Sequence, residues 1–171
     1  RHIGGDFEIT MVFLKPVAAD HPTIRAFECL GVTVRSLETR ATVSPRGIAR
    51  LARWISAERP DVVHSHHPPA NITAKLAAAL NFPLGRRPRV VNGYRNARQG
   101  IRPLGRALER LTRPLADLVL CSSEGVETSY FGSAEMLTEA GQLSSGRRHW
   151  TLHNTIDVGE LRRGASSGAE A

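Results

Sequence analysis

The chain is poor in the residues that anchor several common kinds of site. It has two cysteines, Cys29 and Cys121, which stand 92 positions apart. They give no C-x-x-C pair, no zinc spacing and no disulfide framework, and this sparse use fits a reducing cytoplasm. No run of about 18 apolar residues occurs, which excludes a transmembrane helix of ordinary length. The opening Arg1-His2-Ile3-Gly4-Gly5-Asp6 has neither an initiator Met nor the apolar stretch of a signal peptide. G-x-G-x-x-G is absent, so no dinucleotide-binding first turn is visible. Neither lysine, Lys15 or Lys75, follows a glycine, which removes a phosphate-binding P-loop. No G-x-S-x-G elbow exists for a serine hydrolase. With 171 residues the chain is also too short for a (β/α)₈ barrel, which takes roughly 250.

What remains is a chain of globular composition, 41% hydrophobic and 23% charged, able to bury a core of its own. The formal net charge is +7, and it is unevenly placed. Residues 86–113 hold nine arginines against one acid, Glu109, a local net charge of +8. One basic segment on a near-neutral domain is compatible with an anionic ligand, a membrane surface or a solvated helix face. A nucleic-acid partner is disfavoured, because Tyr94 is the only aromatic residue interleaved with these arginines for base stacking.

Apolar runs and helical periodicity alternate along the chain. Residues 7–14 read as a strand closed by Lys15-Pro16, and a helix or turn at 22–30 stops at Gly31 before a second strand at 32–37. Ser44-Pro45 has the form of an N-cap followed by proline at the first helical position. Ile48, Leu51, Ala52 and Ile55 then follow at helical spacing until Pro60. Asp61 to His66 is a strand, Ala70 to Leu80 a helix, and Arg89 to Tyr94 a strand again. Pro103 opens a helix with Leu104, Leu108, Leu111 and Leu115 on its apolar face and Arg106, Arg110 and Arg113 on another. Arginines beside an apolar stripe suit an anionic bilayer, so peripheral membrane contact through 103–113 is expected. Residues 117–121 form a strand, Ser123 caps a helix extending towards Ala140, and 150–153 make a last short strand. Strands separated by helices mean βαβ units and a parallel sheet, a Rossmann-like three-layer α/β domain over residues 1–163. Residues 164–171 are small and polar, a flexible tail.

Ligands of such open sheets sit outside the carboxyl ends of the strands. The sharpest feature there is His64-Ser65-His66-His67. Strand alternation puts His64 and His66 on one face. Two imidazoles can chelate a metal, but Pro68 and Pro69 replace the ligands of the H-x-H-x-D-H pattern, so no metal is expected. His64 reads as structural, packed under the sheet end and hydrogen-bonded. His66, nearer the carboxyl end, is the candidate for the cleft, where an imidazole can bond a hydroxyl or phosphate. Asn71-Ile72-Thr73 matches a glycosylation sequon but falls in an expected helix and carries no weight.

Three segments, in order, resemble glycosyltransferase family 4. Asp61-Val62-Val63-His64-Ser65-His66 is similar to its D-V-V-H-x-H segment, and Arg110 to Glu124 (RLTRPLADLVLCSSE) to its helix–strand–turn ending in Ser-Glu. His153-Asn154-Thr155-Ile156-Asp157 resembles the h-N-G-I-D that closes the N-terminal domain, with Thr155 where the family has glycine. The resemblance spans about Phe7 to Arg163. It implies the acceptor-side half of a retaining GT-B hexosyltransferase, which moves a sugar from a nucleotide sugar to a glycan or a lipid-linked acceptor. By resemblance His66 faces the transferring sugar as the catalytic residue. Arg95, Asn96, Ser123 and Glu124 meet acceptor or phosphate, while His64, Asn154 and Asp157 are structural. An exposed arginine within an arginine-rich stretch is the other reading of Arg95.

No metal or resident cofactor is implied; the nucleotide sugar is a co-substrate. The family's glycine-rich first strand and its C-terminal donor domain have no counterpart in the sequence. Catalysis is accordingly expected only with a donor domain supplied in cis or in trans, at a cytoplasmic location that includes the membrane periphery. The alternatives are a subunit of a split glycosyltransferase and a non-enzymatic basic nucleic-acid-binding module.

Overall fold

The computed structural model describes residues 7–153, except 19, 40–42, 83–84, 86 and 99–100. The expected flexible tail and the segment holding Asn154 and Asp157 lie outside the described residues. Six strands and five α-helices follow one another: β1 (Thr10–Phe13), α1 (Pro22–Glu28), β2 (Thr33–Ser36), α2 (Pro45–Glu58), β3 (Val62–His66), α3 (Pro68–Leu80), β4 (Arg89–Tyr94), α4 (Pro103–Thr112), β5 (Leu118–Cys121), α5 (Glu124–Phe131) and β6 (His149–Thr151). All strand pairs are parallel, as βαβ connections require. The architecture is the expected Rossmann-like α/β fold, parallel sheets flanked by helices.

The strands form two sheets. Among the described residues β1 pairs with β2 alone, while β3, β4, β5 and β6 follow in spatial order. β3 is therefore an edge strand, and Val62 on it is 52% exposed. The two parts are joined through their helices, because α2 packs along α3. Ala52 and Ile55 of α2 meet Ala77 and Ala78 of α3 and Val90 of β4 in one apolar cluster. Alanines on α3 allow this close approach, since a bare methyl group keeps two helix backbones near each other.

Local chemistry sets the helix boundaries. The Ser44 hydroxyl accepts the Gly47 N–H at the start of α2, with Pro45 at the first helical position. The Ser123 hydroxyl accepts the Val126 N–H at the start of α5 in the same way. α5 does not continue towards Ala140. Gly132 adopts φ +79°, a left-handed conformation that ends the helix at Phe131, and a separate 3₁₀ segment covers Ala140–Ser145. α3 begins at Pro68, two residues earlier than periodicity alone indicates, because proline is tolerated where the helix needs no N–H donor.

α4 departs furthest from expectation. Its leucine face does not enter the core: Leu104 and Leu111 are 73% and 77% exposed. Glu109 and Thr112 are the buried residues of this helix. The Glu109 carboxylate accepts from the Lys75 ammonium and from the Tyr94 hydroxyl. Lys75 is itself fully buried on α3. A lone buried ammonium or carboxylate is very costly, so pairing the two fixes which face of α4 turns inward. Burial pulls the Lys75 pKa down and the Glu109 charge pulls it back only in part.

Candidate functional site at the strand ends

A cleft of about 110 Å³ opens at the carboxyl ends of β3, β4 and β5. His64 and His66 come to it from β3, Arg95 from the end of β4, and Ser122 from the end of β5. Tyr94, Cys121 and Leu152 supply its apolar wall, and among the described residues no carboxylate lines it. The strand ends converge there because consecutive parallel strands finish on one side of the sheet.

His64 and His66 lie two residues apart on one face, with ring centroids 4.3 Å apart and planes tilted by 43°. The His66 ring rests above Gly93 of the paired strand. A Cβ built on Gly93 would come within 2.5 Å of the His66 Nδ1, so only glycine leaves the ring its place. Burial lowers the pKa of both imidazoles, and the Arg95 charge lowers both further; His64 and His67 add to this at His66. Both rings are thus biased towards the neutral form, which can accept one hydrogen bond and donate another.

His64 is not packed beneath the sheet end and hydrogen-bonded. It lines the cleft as an exposed side chain and has no hydrogen-bond partner among the described residues. Arg95 is exposed beside the two rings and pairs with no carboxylate among the described residues. Its backbone carbonyl accepts from the Ser122 hydroxyl, which ties the β4 loop to the end of β5. Asn96, Ser123 and Glu124 are not among the residues lining the cleft. Ser123 is occupied as the cap of α5, and Glu124 is exposed on its first turn.

Beneath the cleft runs a buried polar relay. Asn92 donates to the Ser65 hydroxyl (2.8 Å), Ser65 donates to the Asn71 side-chain oxygen (2.9 Å), and Asn71 donates to the Gly93 carbonyl (3.2 Å). It stitches β3, α3 and β4 together directly under His66 and Gly93. Asn71 is fully buried, so its sequon describes a structural asparagine. The sequence carried one hint of the relay: polar Ser65 and Asn92 interrupt otherwise apolar strands. The role of Gly93 was not legible, because it depends on a neighbouring strand.

His67 joins β3 to α3 with φ +71° and ψ +147°, a conformation rarely taken by a residue with a side chain. Its N–H reaches the Gly93 carbonyl (3.3 Å), and its own carbonyl accepts the Asn71 N–H. The following Pro68 and Pro69 have no N–H groups, so the start of α3 offers little to an anion. The positive contribution to the cleft comes from Arg95. The Cys121 thiol is buried, with its pKa pushed up to about 12 by desolvation, and stays protonated.

A second ionisable cluster lies between α5 and β6. The Glu127 carboxylate is fully buried and accepts from Thr151 Oγ1 (2.6 Å), the Arg147 guanidinium (2.9 Å) and the Glu135 N–H (3.1 Å). His149 Nδ1 lies 2.6 Å from it, and the His149 ring stacks on Phe131. Burial alone would raise the Glu127 pKa, but these hydrogen bonds hold it below the ordinary carboxylate value.

Among the described residues no group of three or more His, Cys, Asp or Glu side chains is placed to hold a metal ion. The cleft can therefore offer two neutral imidazoles, a guanidinium and a hydroxyl to a ligand rich in hydroxyl or phosphate oxygens. A search of curated proteins finds no match to the chain. Residues 6–132, most of the length and all of the walls from β3 to the end of β5, match the model of the glycosyl transferase 4-like domain, and the chain belongs to that family.

Proposed function

We propose that this domain is the acceptor-side half of a hexosyltransferase that moves a sugar from a nucleotide-sugar donor to a glycan or lipid-linked acceptor. The donor is held chiefly by a second domain, in cis or in trans. The observation that carries this reading is the convergence of His66, His64 and Arg95 on one cleft at the strand ends. A neutral His66 can bond a sugar hydroxyl at the reacting end, and its partner His64 widens that hydrogen-bonding edge. Arg95, free of carboxylate partners among the described residues, offers charge to a phosphate without a metal.

The test is to join the chain to a donor-side glycosyltransferase domain, in one polypeptide or as two, and to measure sugar transfer. His66→Ala is expected to lower turnover about 100-fold while thermal unfolding stays unchanged. Normal transfer by that variant would remove His66 from the reaction.

A further inference from the structure

The exposed side of α4 has no role in the cleft, in the core or in either ionisable cluster. Projected down the helix axis, Leu104, Ala107, Leu108 and Leu111 form one stripe, with Leu104 and Leu111 almost wholly solvent-facing. Arg106 and Arg110 border that stripe on one side, and Arg102 stands at its N-terminal end. Among the described residues none of these three arginines pairs with a carboxylate. The one acid of the helix, Glu109, points inward and is spent on Lys75. The outer surface of α4 therefore combines leucines with uncompensated positive charge.

We propose that α4 is an interfacial helix that docks the domain on an anionic lipid bilayer, with its leucine stripe in the acyl boundary and its arginines among the headgroups. Charge selects this occupant. A second copy of the chain meeting the first through α4 would bring two sets of unpaired arginines together, and the helix has no aromatic residue on which a nucleic-acid base could stack. A helix joining parallel strands runs antiparallel to them, so Arg102 and Leu104 lie towards the same end of the sheet as the cleft. A docked α4 consequently leaves the cleft beside the lipid surface. The docking stands on α4 alone and does not depend on the sugar-transfer reading.

The experiment is vesicle flotation of the full chain with phosphatidylcholine vesicles, either pure or containing phosphatidylglycerol. Binding is expected only with phosphatidylglycerol present and is expected to weaken as salt is raised. Leu104→Ser with Leu111→Ser should reduce partitioning by at least about tenfold without changing the unfolding temperature, because both side chains are already in water. Arg106→Gln with Arg110→Gln should reduce it by roughly fivefold per arginine. Equal binding to both vesicle types, no binding to either, or full binding by either double variant would overturn the proposal. So would a lipid-free dimer, seen by sedimentation, that the leucine variant dissociates, since the face would then be a protein interface.

Discussion

Two of the clusters of ionisable side chains among the described residues differ in how far their bonding is satisfied. At the α5–β6 junction Glu127 accepts from Thr151, Arg147 and the Glu135 N–H, with His149 alongside, and it is closed to solvent. At the cleft His64, His66 and Arg95 stand near one another without a carboxylate among the lining residues. The first cluster has its partners within the chain and acts to hold α5 against β6. The second keeps its hydrogen-bonding capacity for something outside the chain. A cluster of partner-poor polar groups around one unpaired charge adds little to stability, and this separates a site from a structural network.

Removing the centre of the satisfied cluster should have the largest effect. Glu127→Ala strips partners from Arg147, His149, Thr151 and the Glu135 N–H together, and is expected to cost about 3 kcal/mol in chemical denaturation. A loss comparable to that of an ordinary surface substitution would erase the contrast between the clusters.

At the cleft the balance reverses. Gly93→Ala should leave stability within about 1 kcal/mol, because the clashing His66 ring can swing away. The same change should shift the His66 imidazole resonances and weaken sugar transfer in the reconstituted enzyme. Unaltered His66 resonances would show that Gly93 does not place the ring.

The smallest effect concerns pH. His64 and His66 have pKa values lowered from 6.5 in the folded state, so the unfolded chain binds protons more readily. Their contribution costs nothing above pH 6.5 and destabilises the fold as pH falls below that value. Glu127, held below 4.5, acts in the same direction at lower pH: its stabilisation is complete above that value and is lost on acidification through the folded value. Arg95→Gln removes one of the charges acting on the histidines, and both imidazoles should then titrate at higher pH by NMR. Unmoved titrations would mean that Arg95 does not face them.

Much of the fold was legible because short-range chemistry writes it. Pro45 and Pro103 open α2 and α4 where a missing N–H does no harm, Ser44 and Ser123 cap α2 and α5, and apolar runs between such signals become strands. The family was legible from three ordered segments. The end of α5 was missed although Gly132 stood in plain view, since the polar and apolar spacing continued beyond it. His66 and Arg95 could be placed at strand ends by alternation and topology. The exposure of His64 could not, because it depends on what packs over that end of the sheet.

The sequence by itself determined the parallel α/β class, the strand whose end bears the histidines and the arginine excess around α4, since each follows from spacing, punctuation or composition. Tertiary structure alone decided that the α4 leucines face outward while Glu109 meets Lys75, and that Gly93 makes room for His66. It also decided that Asn71, Ser65 and Asn92 form one relay. The physical reason is common to all three. Residues 34, 27 and 6 or 27 positions apart settle these pairings respectively, so each is decided by a distant partner: by the cost of an unpaired buried group at Glu109 and in the relay, and by steric room at Gly93.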